Sequence, residues 1–336
     1  MRVTTNSILR NYKNSLSNSI SNLNSSRTKV LTERSFNSVA ENPSSAAKAS
    51  QLRRKYTKTQ DNLDMIDEAQ ARLDGQESTM MQVNTVLTTI SENYNVEAMN
   101  GTNITSENRQ TYATAIRGYM ETMVSDLNAT YADTYLFAGA DGDNPPFSLS
   151  EDGTLTYRGI NVDAAEGTDD YNKLKEMAGE NVYLDIGLGL TIDSNGTVDP
   201  SSAFDVSLPG IKVMGYGLDS DGDSQNVITL AGQLADLLEA DTFDSDAYGT
   251  LMNKFKDLTS NFTQSVTESG IKSEFLTSTQ DRLDSLSTSL QEQLENVEGI
   301  DLESAYTEYA WYQYAYNAAL KVGTSILSSS FIDFMS

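Results

Sequence analysis

Apolar positions recur every seven residues over two long stretches of the chain. Leu52, Thr59, Ile66, Leu73, Met80, Leu87 and Tyr94 form one row, and only a long α-helix gathers such a row onto one side. A second row four residues on, Tyr56, Leu63, Gln70, Glu77, Asn84 and Ser91, is apolar only in its first two members. Near the other end Leu276, Leu283, Leu290 and Val297 repeat the period, with Thr279, Leu286, Gln293 and Ile300 three residues on. A heptad seam needs a partner helix, because a single-sided stripe leaves its apolar face wet. The two seams are therefore expected to pair, Ile66, Leu73 and Leu87 against Leu283, Leu286 and Leu290, in a rod built from both ends of the chain.

A thinner seam, Leu9, Leu16, Leu23 and Val30, predicts a helix over 7–34, with Ile20 in a companion row that elsewhere holds Lys13 and Arg27. Asn42-Pro43 disfavours helix at Asn42 and permits a new one directly after. That helix, from about Ser44 to Met99, is expected to stop at Asn100-Gly101, a pair suited to a left-handed C-cap. Gly75 within it costs about 1 kcal/mol relative to Ala. Another helix starts near Thr105 or Ser106 and carries Tyr112, Ile116, Tyr119, Met123, Leu127 and Tyr131 on one side. Helical pattern resumes from about Leu251 to Val297. A last helix opens at Asp301, a good N-cap, with Tyr309, Tyr312, Tyr316, Ala319, Gly323 and Ile326 along one side.

The middle differs in character. Fifteen of the 21 Gly lie between Gly139 and Gly249, and four of the five Pro are Pro145, Pro146, Pro200 and Pro209. Tyr183 to Ile192 alternates strictly, with Leu184, Ile186, Leu188, Leu190 and Ile192 on one face, which predicts a strand. Phe147 to Tyr157 reads as a hairpin. A two-residue turn at Asp152-Gly153 would set Leu149 and Leu155 on opposite faces. The three-residue loop Glu151-Asp152-Gly153 instead pairs Leu149 with Leu155 and Phe147 with Tyr157, with Gly153 left-handed.

Charge is uneven within the net −25 of the 336 residues. Residues 1–60 carry 11 basic and 2 acidic side chains, residues 61–140 carry 3 and 12, residues 141–250 carry 4 and 22, and residues 251–336 carry 5 and 12. The basic start alternates with Asn and Ser along a helical seam, and the rest of the chain repels phosphate, so it is read as complementary to acidic segments of the same or a neighbouring chain. Nucleic acid is not an expected partner. No apolar run reaches membrane-spanning length, and Met1-Arg2-Val3-Thr4-Thr5-Asn6 lacks the apolar core of a secretory signal. Without Cys there is no disulfide or thiolate site, and without His the commonest general base and metal ligand is missing.

Three constellations invite chemistry. Ser45-Ala46-Ala47-Lys48 matches the Ser-x-x-Lys of serine acyl-enzymes without its companion elements, and reads as helix-start chemistry after Pro43. Asp219-Ser220-Asp221-Gly222-Asp223 resembles the start of a calcium loop, but an EF-hand needs Gly and Glu where Ser224 and Leu230 stand; a solvated acidic turn is expected. Tyr306, Tyr309, Trp311, Tyr312, Tyr314 and Tyr316 at helical spacing are read as packing surface for other subunits. No catalytic, cofactor-binding or metal-ligating residue is assigned and no cofactor is expected. The candidate functional residues are the seams themselves.

Several segments then resemble the flagellin superfamily, and within it the flagellin-like hook-associated branch of the hook–filament junction. They are Met1–Asn6, Glu41-Asn42-Pro43-Ser44-Ser45-Ala46-Ala47-Lys48-Ala49, Tyr135-Leu136-Phe137-Ala138-Gly139, Asn144-Pro145-Pro146-Phe147, Thr156-Tyr157-Arg158-Gly159, Ala315-Tyr316-Asn317-Ala318-Ala319-Leu320-Lys321-Val322-Gly323, and Ile326-Leu327 to Phe331-Ile332-Asp333-Phe334-Met335. The family's usual Ser-Gly-Lys/Arg turn between the first two helices is replaced by Leu31-Thr32-Glu33-Arg34-Ser35-Phe36, so the first helix is expected to run further or turn differently. The residue pattern predicts an α+β chain: terminal assembly helices at 1–42 with 301–336, a helical bundle rod at 43–140 with 251–300 and, from the Gly and Pro content, the hairpin, the alternation and the acidity, an outer β-rich domain inserted at 141–250. The resemblance covers about residues 1–160 and 275–336 and matches nothing in 161–250. It implies type III export without a cleaved signal, a cytoplasmic export chaperone, and a place outside the cell in a ring. There the partners are further copies, the other hook-associated junction protein and flagellin. Flagellin itself is the alternative reading, and a surface adhesin or calcium-binding module a more distant one.

Overall fold

The computed structural model of the chain describes the backbone of residues 5–99 and 105–335, and side chains at 7, 9–99 and 105–325. The C-cap expected at Asn100-Gly101, the motif residues Met1–Thr4 and the side chains of Thr5, Asn6, Ile326 and Phe331–Met335 lie outside the described residues. In chain order the helices are α1 (Thr5–Thr32), α2 (Pro43–Thr89), α3 (Asn95–Met99), α4 (Ser106–Leu127), α5 (Asp169–Ala178), α6 (Gly210–Met214), α7 (Val227–Glu239), α8 (Ser245–Glu298) and α9 (Leu302–Met335). A π-helical turn, Ile90–Tyr94, joins α2 to α3. Short strands β1 (Thr130–Tyr131), β2 (Thr134–Tyr135), β3 (Phe147–Leu149), β4 (Leu155–Tyr157), β5 (Ile160–Asn161), β6 (Tyr183–Leu184) and β7 (Phe204–Asp205) pair antiparallel as β1-β2, β3-β4-β5 and β6-β7. The class is α+β. The chain divides into two compact units, Met1–Gln60 with Asp284–Ser336, and Asp61–Leu283.

In the first unit α1 and α9 run antiparallel, Arg34 bridging Gly299 at one end and Tyr12 lying against Gly323 towards the other. The covered stripe of α1 is Leu9, Tyr12, Leu16, Ser19, Leu23, Ser26 and Val30; that of α9 is Ala305, Tyr309, Tyr312, Tyr316, Ala319 and Gly323. Their steps alternate three and four, so the companion row lies three residues after the first. An average of 3.5 requires this alternation, and it turns Lys13, Ile20 and Arg27 outward, contrary to the expected companion row. The same shift holds in α2. Leu52, Thr59, Ile66, Leu73, Met80 and Leu87 are buried, and the row beside them is Asn62, Ala69, Gln76, Val83 and Ile90.

Along α8 the period begins four heptads earlier than the sequence reading placed it. Tyr248, Phe255, Phe262 and Ser269 precede Leu276, Leu283 and Leu290, all buried, and Val297 is half-buried. Hydrogen bonds between α2 and α8 join Gln60 to Ser287 in the first unit, and Asp67 to Gln280, Gln70 to Ser273 and Asn84 to Thr263 in the second. The partner number falls as that of α2 rises, so the two run antiparallel. This register corrects part of the expected pairing. Ile66 and Leu73 share a cluster with Leu276 and Leu283, but Leu87 belongs with Phe255 and Phe262, and Leu286 faces solvent.

The second unit holds the larger core. Met80, Val83, Leu87 and Ile90 meet Ile116, Met120, Met123 and Leu127 of α4, Phe147, Leu155 and Tyr157 of the hairpin, and Ile228, Leu230 and Leu234 of α7. The apolar residues of 141–250 thus do not pack apart from the helices as a separate β-rich domain would: most join this core with α2, α4 and α8, and Ile186, Phe204 and Val206 join a smaller cluster with α2 and α8. The hairpin has the register its loop length predicts, Phe147 opposite Tyr157 and Leu149 opposite Leu155, with Gly153 at φ +83°. The strand expected over 183–192 stops at Leu184, because Gly187 and Gly189 take φ of +84° and +85° and break the extended run. Tyr131, expected on the α4 stripe, belongs to β1.

Candidate assembly site

Local contacts start α9 and stop α1. Asp301 caps α9, its Oδ1 accepting the Glu303 and Ser304 amides at 3.1 and 3.4 Å, and the Ser304 hydroxyl holds its carboxyl below the usual range. At the other join α1 ends at Thr32 and Glu33 turns left-handed, φ +56°. The turn is thus made by a non-glycine residue that bears steric strain there. α2 then begins behind Asn42, whose Oδ1 accepts the Ser45 amide at 3.1 Å. Ser45 thereby sits in a helix-capping turn, which accounts for the Ser-x-x-Lys match.

The aromatic cluster of α9 divides by face. Tyr309, Tyr312 and Tyr316 are half-buried along the stripe that α1 covers, together with Gly323, where a Cβ would collide with the Tyr12 phenol. Trp311 and Tyr314 point outward, each 68% exposed, their rings stacked with centroids 6.3 Å apart. Ala318 and Val322 continue that outer stripe at helical spacing, and Tyr306 and Leu320 flank it, all exposed. α9 is thus apolar on two sides, one covered by α1 and one open in the single chain. Surface of this kind marks an interaction site.

The acidic turn is already neutralised. The Lys254 ammonium of α8 donates to Asp219, Asp221 and Asp223 at 2.7, 2.8 and 2.6 Å. The three carboxylates are the group among the described residues whose spacing suits a metal ion, and the ammonium lies among them. Asp219 Oδ1 also accepts the Asp221 and Asp223 amides, both at 2.9 Å. Lys254 holds the Asp219 carboxyl below its ordinary range, and the carboxylates in turn raise the lysine, Asp219 foremost. Sequence spacing gave no signal for Lys254, which lies on a distant helix.

The segments at 135–139, 144–147 and 156–159 converge in the second unit. The Phe137 carbonyl accepts the Gly210 amide at 2.8 Å and the Tyr157 hydroxyl at 3.0 Å. Phe147 packs edge-on against Tyr157 at 5.0 Å, and the Arg158 amide donates to the Pro146 carbonyl at 2.7 Å. Arg158 pairs with Glu180 at 2.8 Å, and Glu180 accepts the Ala140 amide at 2.8 Å. Gln76 of α2 closes the group through the Leu136 carbonyl at 2.8 Å. Burial pushes the Tyr157 hydroxyl well above its ordinary range. These residues form a folding node; they do not present an outer contact surface.

Over residues 3–141 the chain matches the family model of the bacterial flagellin N-terminal helical region. Those residues are flagellin-like. The flagellin-like stretch takes in α1 to α4 and the β1-β2 pair. Among solved structures, one described as a flagellar hook-associated protein from Vibrio parahaemolyticus is 16% identical with a TM-score of 0.59, covering 77% of this chain and 100% of its own; the two share a fold. FlgL from Bacillus cereus is 19% identical, TM-score 0.46, over 75% of this chain and 99% of that one. The flagellar junction protein FlgL from Legionella pneumophila is 11% identical, TM-score 0.40, over 71% and 99%. No curated protein matches the chain by sequence. Among the described residues no helix is long and apolar enough to cross a membrane.

Proposed function

We propose that the chain is a structural subunit of the bacterial flagellum that joins the hook side to the flagellin filament at their junction. The observation that carries this reading is the outer stripe Trp311, Tyr314, Ala318 and Val322, open on a terminal helix whose other face α1 already covers. Large stacked aromatics at helical spacing gain most by burial against a neighbouring protein. The flagellin-like match over 3–141 supports a filament-type assembly, and the fold shared with a hook-associated protein supports the junction. In this assembly copies pack side by side in a ring outside the cell, between a second hook-associated protein and flagellin. The chain reaches that place by the flagellar export route without a cleaved signal, its C-terminal region held beforehand by a cytoplasmic chaperone.

The flagellin-like match also favours a second reading, flagellin itself. Labelling isolated flagella with an antibody to this chain separates the two. Signal confined to the hook–filament boundary is expected. Signal along the whole filament would establish flagellin instead, and unlabelled flagella would remove both readings.

A further inference from the structure

Two connections carry the terminal helices, 33–42 after α1 and 299–301 before α9, and both close on Glu298. The Glu298 carbonyl accepts the Ser35 amide at 2.7 Å and the Ser35 hydroxyl at 3.2 Å. Its carboxylate pairs with Arg53 of α2 at 2.5 Å and with Arg34 at 3.6 Å. Arg34 also bridges Gly299 through the backbone. The turn at Gly299 is tight: its amide donates to the Glu295 carbonyl at 2.6 Å, and a Cβ at Gly299 would run into that carbonyl oxygen.

Glu298 is an unfavourable choice for its position on helical grounds alone. It is the last residue of α8, where the helix dipole opposes a negative charge, and it is only 7% exposed, where desolvation opposes a charge of either sign. The two guanidinium groups offset both penalties. One belongs to the connection that leaves α1 and the other to α2, so a single carboxylate ties three segments of the first unit.

We infer that Glu298 is an electrostatic latch that locks the two connections to each other, so that α1 and α9 are carried as one arm and are released together when the latch opens. The inference does not depend on where in the flagellum the chain sits. The arginine side chains are half exposed, 50% for Arg34 and 47% for Arg53, so salt reaches the pair from that side and weakens it. Release therefore rises with ionic strength.

The test uses the full-length chain and its Glu298→Gln, Arg53→Gln and doubly substituted forms, with two readouts. The first is cleavage within 33–42 by a Glu-specific protease, at Glu33 or Glu41. The second is hydrogen exchange of the Ser35 and Gly299 amides. Loss of one charge-assisted hydrogen bond should speed cleavage about tenfold in either single variant. The double variant should be no faster than Glu298→Gln, which already removes the Arg53 pair along with that of Arg34. Exchange at Ser35 and Gly299 should rise together, and the salt dependence of cleavage seen in the parent should disappear from Glu298→Gln. If Glu298→Gln disturbs folding, Arg53→Gln carries the same readouts. Additive effects, exchange that rises at one connection only, or cleavage unchanged in both single variants would overturn the latch.

Discussion

The ammonium of Lys254 lies within 2.8 Å of three carboxylates in the 219–223 turn, the position a bound cation would take. Added calcium should leave the thermal midpoint of the parent chain unchanged. Lys254→Met should lower it at neutral pH, because three carboxylates are left close together without a counter-charge. The pH dependence follows from Asp219, whose carboxyl Lys254 holds below its ordinary range. A depressed carboxyl contributes stability above its unfolded pKa and loses it as pH falls through the folded one. The gap between parent and Lys254→Met should therefore close on acidification through and below the ordinary carboxylate range, as thermal melts at a series of pH values would show. Glu33 offers the opposite kind of substitution. Its left-handed φ of +56° costs about 1–2 kcal/mol, and glycine returns about 0.5–1 of that in backbone entropy. Glu33→Gly should stabilise the first unit by about 0.5–1 kcal/mol in urea unfolding. Turn chemistry of this local sort was legible at Gly153 and Asp301, where the neighbours fix the geometry. It was not legible at Asp219–Asp223, whose neutralising partner comes from another helix.

Helices were legible where one face alone is apolar. The seven-residue period located α1, α2 and α8 because each leaves a polar face to water, whereas α9, apolar on two sides, was located by its Asp301 cap and the stripe from Tyr309 to Ile326. α7 reads Val227-Ile228-Thr229-Leu230-Ala231-Gly232-Gln233-Leu234-Ala235-Asp236-Leu237-Leu238-Glu239 and is covered on most sides, so it shows no clean stripe, and its Asn226 cap went unread in a Gly-rich, acidic region. The alternation at 183–192 misled for a related reason: it counts side chains but not the left-handed Gly187 and Gly189. Register was the other gap, since a period fixes which residues face a partner but not which partner residues they meet. α8 allows that register to be tested within a single heptad. Leu283 is 2% exposed and Leu286 is 43% exposed. Leu283→Asp should cost several kcal/mol by burying an unpaired carboxylate, whereas Leu286→Asp should stay within about 0.5 kcal/mol. Equal losses in urea unfolding would contradict the register.

At the scale of the whole molecule, the acidic middle region is part of the second unit's core. Replacing residues 141–250 with a short Gly/Ser linker removes Phe147, Leu155, Ile211, Ile228, Leu230 and Leu234 from one cluster with Ile116 and Met123. The replaced chain should lose its cooperative thermal transition, and retention of a parent-like transition would show that the helices hold without it. High negative charge suggested an outlying domain. Charge pattern reports which surface is wet, and it is silent on what lies beneath. The central claim concerns the opposite side of the balance, the apolar stripe that the single chain leaves open. Trp311 is the only Trp in the sequence and stands on that stripe, 68% exposed. Incorporating 5-fluorotryptophan therefore places one fluorine reporter on the proposed contact face, and its resonance can be recorded in H2O and D2O before and after the purified chain is added to isolated hooks. The account predicts a solvent-isotope shift in the free chain that disappears on assembly, as neighbouring subunits cover the ring. A chain that binds hooks while Trp311 keeps its full solvent-isotope shift would contradict it.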